Sequence, residues 1–401
     1  MASTQRAGRV GIRTFLLAAA LVLPAATGFG STGVAPAADE LEIVGVVPWA
    51  GCGDRDEWFA RWYERAWNEH GPGAAVPLKF EPTDEDLARY NLPPRDVLLA
   101  GDFSEPTMVD KDGIVERVPL SKLLDAFAQP ESHGGPTPAT FAGTGCLGIR
   151  PGAWLLLLTG GIGWCSMAHV YGSPGNYQVS TAGHCGNVGD TATVVAALGN
   201  RDGVLRPILL NFGKFSKSTG DGGLGKDWAL ISVDSEFQGL VSPTMCFWGG
   251  PRGTYTLTGA VATVTLGWRW NRFPYVTGAS PSVTPNPLLA QGVAHYGHGT
   301  GIGAGGTPRV GAAIHWWSTY FAFYGAIAPG DSGSGANTWT GDAVGANMEA
   351  AGILTHIVLV DPPEIAKNTG ALMIGTRATQ VTATLANGQI LPYPVPAPGL
   401  P

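Results

Sequence analysis

The chain has 401 residues, of which 44% are hydrophobic and 14% charged, so it is long enough for more than one domain with a buried core. Its net charge of −7 argues against a nucleic-acid partner, because phosphate binding depends on clustered Lys and Arg. The 59 glycines and 31 prolines favour a turn-rich, mainly β protein over a long helical bundle.

The N-terminus contains three arginines followed by an apolar run over residues 15–23, which predicts a secretory signal over residues 1–28. Small residues also permit cleavage near residue 37. An N-terminal membrane anchor is the less favoured alternative, because the run is shorter than the roughly 20 residues of a membrane span. We therefore expect a secreted, extracellular protein that has no membrane contact after signal cleavage.

Charge divides the remaining chain into two regions. Residues 39–131 contain 20 acidic and 9 basic side chains, whereas residues 132–401 contain 11 and 12. We predict an acidic α/β segment at 39–130, a linker at 131–145, a second domain at 146–385 and a Pro-rich tail at 386–401. The acidic segment is interpreted as a propeptide, with a permanent accessory domain or a substrate-targeting module as the alternatives.

Within the acidic segment, the pattern predicts a strand over 41–47 and a helix over about 56–69. Aromatic residues recur on one face of this helix. The sequence leaves open whether this stripe packs on the segment's own strands or on the domain that follows.

From residue 146 onward, short apolar or alternating runs are separated by Gly, Asn and Pro, which predicts many short strands. Such spacing favours an antiparallel barrel or sandwich over βαβ units. Residues 371–384 are expected to form a closing helix.

Three local motifs supply the groups that amide hydrolysis needs: a nucleophile, a base and an acid that orients the base. His184 lies in Thr-Ala-Gly-His-Cys at the end of a predicted strand. Asp227 begins Asp-Trp-Ala-Leu-Ile, and Ser332 lies in Gly-Asp-Ser-Gly-Ser.

These motifs, in this order, resemble those of the chymotrypsin-like serine proteases, and more narrowly the bacterial secreted branch with the α-lytic protease and glutamyl endopeptidase types. The resemblance covers about residues 146–385. It implies a mainly β fold of two antiparallel six-stranded barrels with a short C-terminal helix, here preceded by the small α/β segment. It also implies a serine endopeptidase in which Ser332 attacks the peptide carbonyl, His184 carries the proton and Asp227 orients His184. The backbone N–H groups of Gly330 and Ser332 would form the oxyanion hole.

Other residues and other functions are alternatives to this prediction. Asp221 and Asp234 are the rivals of Asp227, and Ser334 is the rival of Ser332. An esterase of the α/β-hydrolase type is disfavoured, because that fold runs Ser, acid, His and needs Gly-x-Ser-x-Gly. An inactive, protease-like binding protein is the other alternative, although no member of the triad is missing.

Five cysteines in an exported chain imply two disulfides and one unpaired residue. The resemblance implies the pairs Cys165–Cys185 and Cys146–Cys246. Cys52 is then left over in the acidic segment. This is consistent with a zymogen whose propeptide is removed, and equally with a free buried thiol.

By position in the family, Ala326 lies at the base of the substrate pocket, and Thr355, His356 and Ile357 form one wall. None of these residues is acidic, so a trypsin-like preference for Arg or Lys is not expected. A medium or large apolar residue is the default, and an acidic preference stays open because of His356. We expect a monomer that acts on polypeptides without a cofactor. A metal site is not expected, because His295 and His298 lie in a strand and loop without an adjacent carboxylate.

Overall fold

A computed structural model of the chain describes residues 41–44, 55–128, 148–245, 250–256, 264–268, 274–279, 292–297, 307–325, 327–339, 348–369, 371–385 and 388–391. Most of these residues form antiparallel β-structure. Within this part of the chain, none of the helices has both the length and the apolar character that crossing a bilayer requires.

The described residues of the acidic segment form four short strands and four helices. In chain order they are β1 (Glu42–Val44), α1 (Arg55–His70), β2 (Ala75–Pro77), α2 (Asp84–Arg89), α3 (Arg95–Ala100), β3 (Thr107–Asp110), β4 (Gly113–Arg117) and α4 (Leu120–Phe127). The predicted strand and helix therefore match β1 and α1. Apart from the β3–β4 hairpin, these strands pair with the barrels that follow rather than with each other.

The first barrel is built from seven strands. They are β5 (Trp154–Leu157), β6 (Gly163–Ser166), β7 (Val170–Ser173), β8 (Asn176–Thr181), β9 (Thr191–Arg201), β10 (Val204–Ser218) and β11 (Ala229–Val233). Their order is β6-β5-β9-β10-β11-β8-β7. The chain runs from β6 into β7, and the N–H of Ala168 between them donates to the Ser180 carbonyl. With β6 and β7 acting as one bent strand, the sheet closes into a six-stranded barrel.

A separate hairpin, β12 (Val264–Trp268) and β13 (Pro274–Ala279), precedes the second barrel. The remaining elements are β14 (Gly292–Gly297), β15 (Thr307–Trp316), β16 (Tyr320–Gly325), β17 (Gly335–Trp339), β18 (Ala350–Val358), α5 (Pro363–Thr369), β19 (Ala371–Arg377) and α6 (Ala378–Thr382). Pairing in the order β17-β14-β15-β16-β19-β18 and from β18 back to β17 closes a second six-stranded barrel. The predicted architecture of two antiparallel six-stranded barrels is confirmed.

The expected closing helix is wrong over its first half. Residues Ala371–Arg377 form β19, which pairs with β16 on one side and β18 on the other, and only α6 is helical. A central barrel position supplies hydrogen bonds to both edges of the strand, and this pairing outweighs the helical preference of the local sequence.

The aromatic stripe of α1 packs on the second barrel and not on strands of its own segment alone. Phe59, Trp62 and Tyr63 are buried in one apolar cluster with second-barrel residues such as Phe321 and Phe323. The acidic segment is thereby fixed to the second barrel through α1. It is fixed to the first barrel through β1, which pairs with β9, and β3, which pairs with β10.

Candidate active site

His184 lies in a short 3-10 turn, Gly183–Cys185, directly after β8. The next residue, Cys185, forms a disulfide with Cys165 of β6, as the resemblance implies. Gly183 is required here, because a Cβ at this position would collide with the carbonyl of Gly220. The strand end that carries the imidazole is thus tied covalently to its neighbour.

Asp227 lies two residues before β11, and its side chain is fully buried. Its two oxygens both accept from His184: Oδ1 from the backbone N–H at 3.0 Å, and Oδ2 from ring Nδ1 at 2.6 Å. Since a carboxylate accepts only, Nδ1 carries the hydrogen and Nε2 is left as an acceptor. Asp234, the rival, lies at the other end of β11, where its N–H donates to the Phe212 carbonyl at 2.9 Å.

Ser332 lies in the turn before β17, and its Oγ is hydrogen-bonded to Nε2 of His184. Gly330 and Gly333 on either side have φ values of 93° and 86°, which favour glycine. The Asp331 carboxylate accepts the Ala328 N–H at 2.7 Å within the same turn. The structure therefore joins Ser332, His184 and Asp227 in one hydrogen-bonded row.

The serine turn is also attached to the first barrel. Ser166 of β6 donates its N–H to the Ser332 carbonyl at 2.7 Å, and its Oγ donates to the Gly330 carbonyl at 2.9 Å. These bonds fix the nucleophile relative to the histidine, although the two residues belong to different barrels.

His356 lies beside the aspartate rather than pointing only toward a substrate pocket. Its Nδ1 is 3.7 Å from Oδ2 of Asp227, its Nε2 is 3.4 Å from Oδ1 of Asp221, and its ring centroid is 5.9 Å from that of His184. Burial lowers the pKa of His356, so the ring is neutral near neutral pH. Sequence reasoning assigned His356 to the pocket wall and treated Asp221 only as a rival acid, and it missed this contact between them.

Among the described residues, two groups of side chains offer ligand atoms close enough to hold a metal ion, but each is already engaged. Asp221, Asp227 and His356 offer ligand atoms within 4.8 Å of one another, and both oxygens of Asp227 accept from His184. The other group contains the disulfide sulfurs of Cys165 and Cys185 beside His184. His295 is buried in β14 against the ring of Phe323.

The structure describes some of the remaining expected site residues and not others. Thr355 and Ile357 are buried in β18, and the Thr355 hydroxyl donates to the Ile374 carbonyl at 3.2 Å. Ala326, Cys52, His298 and the expected pair Cys146–Cys246 lie outside the described residues.

The N–H of Gly330, expected in the oxyanion hole, donates to the carbonyl of Leu78 at 2.8 Å. Leu78 belongs to the acidic segment, one residue after β2. No local pattern in the sequence pointed to this contact, because it joins residues that are 252 positions apart.

The chain resembles several solved structures at low identity. It is similar to Thermobifida fusca protease A at 15% identity and a TM-score of 0.31, over 61% of this chain and 99% of that one. The Nocardiopsis protease matches at 18% identity and a TM-score of 0.31, over 61% of this chain and 98% of that one. The Cellulomonas bogoriensis chymotrypsin matches at 15% identity and a TM-score of 0.31, over 62% of this chain and 99% of that one. No protein-family model and no curated protein matches the chain.

Proposed function

We propose that this chain is a serine endopeptidase that hydrolyses polypeptides through an acyl-enzyme. One observation carries the proposal: Ser332 Oγ, the His184 ring and the Asp227 carboxylate are linked in a single hydrogen-bonded row. In such a row, His184 accepts the serine proton as the hydroxyl attacks, and the buried carboxylate stabilises the imidazolium that forms.

The remaining chemistry uses the backbone around the serine. The N–H groups of Gly330 and Ser332 are proposed to stabilise the negative charge that develops on the carbonyl oxygen. The imidazolium then returns its proton to the leaving amine, and a water molecule hydrolyses the ester on Ser332. Neither step requires a cofactor.

The substrate residue before the cleaved bond is proposed to be apolar and not Arg or Lys. In support, Leu78, whose carbonyl accepts the Gly330 N–H, is buried in an apolar cluster. The same cluster contains Leu354 and Ile357 of β18 and Ile327 of the turn before Ser332. A cation in such surroundings would lose its hydration without a partner charge.

Secretion and a zymogen form complete the proposal. Residues 1–28 are proposed to direct export, and residues 39–130 to be a propeptide that precedes the catalytic domain at 146–385. The basic n-region with its apolar run and the charge difference between the two regions support this assignment. Mass spectrometry of the protein in the culture medium identifies the N-terminus left by signal cleavage and the N-terminus left by propeptide removal.

A fluorophosphonate probe tests the activity directly. We expect the probe to label Ser332, the protein to hydrolyse peptides with an apolar residue before the cleaved bond, and Ser332→Ala to lose both properties. Ser334→Ala is the matched control, because Ser334 is buried in the same turn. This variant is expected to retain both labelling and peptide hydrolysis. Labelling at Ser334, or unchanged hydrolysis by Ser332→Ala, would contradict the proposal.

A further inference from the structure

Residues 75–78 of the acidic segment pair with the second barrel beside the candidate nucleophile. Strand β2 is antiparallel to β18, with Val76 opposite Ile357 and Pro77 opposite His356. The next residue, Leu78, donates its N–H to the Thr355 carbonyl at 3.1 Å, and its carbonyl accepts the Gly330 N–H at 2.8 Å. The segment therefore adds an extended strand whose last carbonyl lies at the proposed oxyanion donor.

Two residues later, the same segment pairs with the first barrel. Phe80 donates its N–H to the Trp164 carbonyl at 3.2 Å and accepts the Trp164 N–H at 2.8 Å. Trp164 lies in β6, next to the disulfide-bonded Cys165. The peptide bond between Leu78 and Lys79 is thus flanked by backbone hydrogen bonds to one barrel before it and to the other barrel after it.

The side chains on the two sides of this bond have opposite environments. Leu78 is fully buried in the apolar cluster of the second barrel. The Lys79 side chain is 33% exposed and lines a cavity of about 420 Å³ that His184 also lines. The residue before the bond fills an apolar pocket, while the residue after it faces open space beside the imidazole.

Strand addition to a sheet edge is a general mode of peptide recognition, in which backbone bonds give affinity and pockets select alternate side chains. When the carbonyl also accepts a bond from a donor placed for developing charge, the strand is held as a substrate is held. We infer that Leu78–Lys79 is a cleavage site for the chain's own Ser332, which deepens the proposed function and rests on it.

The reaction balances within the chain and one water molecule. Ser332 Oγ bonds to the Leu78 carbonyl carbon and gives its proton to His184 Nε2. The bond from that carbon to the Lys79 nitrogen breaks, and the nitrogen takes the proton from His184 to become the new amino terminus. Water then hydrolyses the ester, which restores Ser332 and leaves a carboxylate on Leu78.

Both flanks of the cleavage site are anchored, so the reaction is intramolecular. Upstream, Tyr63 of α1 donates its hydroxyl to the Asp361 carbonyl at 2.9 Å. Downstream, the ring of Phe80 packs 5.0 Å from that of Trp164, which also contacts Tyr90 at 4.9 Å. Anchoring at two points keeps the bond at the nucleophile without any encounter between molecules.

The test uses the full chain with a C-terminal tag and identifies new N-termini by mass spectrometry. We expect wild-type protein to yield a fragment that begins Lys79-Phe80-Glu81, and Ser332→Ala to lose it. Lys79→Pro should also lose the fragment, because the proline ring surrounds the leaving nitrogen and removes its N–H. Lys79→Ala is the matched control and should still yield a fragment that begins at residue 79.

A mixing experiment tests whether the cleavage is intramolecular. The rate of fragment formation should not change on dilution, and added wild-type enzyme should leave the 78–79 bond of Ser332→Ala intact, since each groove holds its own segment. Efficient cleavage of Ser332→Ala by added enzyme would overturn the inference.

Failure of the inference and failure of the proposed function give different results. The variant Leu78→Asp serves this comparison. Burying its carboxylate in the apolar pocket is costly, so the segment should leave the groove and allow peptides and the probe to enter. If this variant labels with fluorophosphonate and hydrolyses peptides while wild-type protein stays intact at 78–79, the cleavage site is wrong and the protease function stands. If neither protein labels nor hydrolyses peptides, the proposed function itself falls, and the cleavage site with it.

Discussion

The first barrel carries His184 and Asp227 at the ends of neighbouring strands, and two hydrogen bonds join these residues. The Cys165–Cys185 disulfide ties the strand end that carries His184 to β6. The second barrel carries Ser332 in a glycine-flanked turn, whose position is fixed partly by Ser166 of the first barrel. The acid and the base therefore depend on one barrel, whereas the nucleophile depends on both. We expect substitutions to separate these two kinds of dependence.

Asp227→Asn is expected to have the largest effect. The amide can leave His184 in the wrong tautomer, so kcat for a peptide substrate should fall by about 10⁴-fold while the fold is retained. Asp234→Asn, at the other end of β11, is the matched control and should keep full activity. Retention of more than a tenth of the activity in Asp227→Asn would show that the first barrel does not supply the acid.

Phe321→Ala tests the second barrel's core. Its ring is fully buried, stacks on Trp316 with centroids 5.0 Å apart, and lies where Gly352 and Gly375 leave room for it. The cavity should lower the free energy of unfolding by about 4 kcal/mol in urea denaturation. Leu99→Ala, at a half-exposed position of α3, should change it by less than about 0.5 kcal/mol. Similar values for both variants would mean that the second core contributes little.

Removal of the disulfide tests the first barrel. The double variant Cys165→Ala/Cys185→Ala opens a loop with a sequence separation of 20 residues. The free energy of unfolding should fall by about 3 kcal/mol, mainly through the larger entropy of the unfolded chain. Cys52→Ala, a substitution in the acidic segment that leaves Cys165 and Cys185 in place, serves as the control. Unchanged stability in the double variant would show that the hydrogen bonds alone hold the histidine strand end.

The smallest effect at neutral pH is expected from His169, which links the barrels. It lies between β6 and β7, and its Nε2 donates to the Gly352 carbonyl of β18 at 3.1 Å. Burial lowers its pKa from 6.5 to about 4, so the unfolded chain binds a proton more readily than the folded one. The neutral, buried ring costs the folded state no stability above pH 6.5. As the pH falls toward 4, the unfolded chain binds the proton first, and the free energy of unfolding is then lower by about 3 kcal/mol.

The measurement is urea denaturation of wild type and His169→Gln across this pH range. The variant should lose stability less steeply on acidification, because glutamine does not titrate. His70→Gln, at the exposed end of α1, should retain the wild-type slope. Equal slopes in wild type and His169→Gln would mean that the buried histidine does not titrate separately from the global acid transition.

The sequence predicted the parts of the site that short motifs define. His184, Asp227 and Ser332 each sit in a local pattern with strict steric needs, such as the glycines that flank Ser332, so their elements could be placed without coordinates. The order of the motifs then favoured the two-barrel fold, and the strand pairing confirms that fold.

The parts that could not be predicted depend on contacts between distant residues. Residues 371–377 were expected in a helix, but they form β19 because β16 and β18 bond to both of its edges. Likewise, nothing local in Val76-Pro77-Leu78 indicates a strand that pairs with β18 beside Gly330. His356 was expected at the pocket wall, and its contact with Asp227 depends on how the second barrel packs against the first.

The hairpin formed by β9 and β10 has a further consequence. Beyond the barrel wall, its tip is bordered by β1 on one edge and by β3 on the other, at residues 198–200 and 208–209. An enzyme that had shed residues 39–128 would present both edges bare, with N–H and C=O groups ready to pair with a strand from another molecule. Removal of the segment would thus expose two strand edges that β1 and β3 cover in the full chain. At high concentration, the shortened protein would be the form prone to self-association.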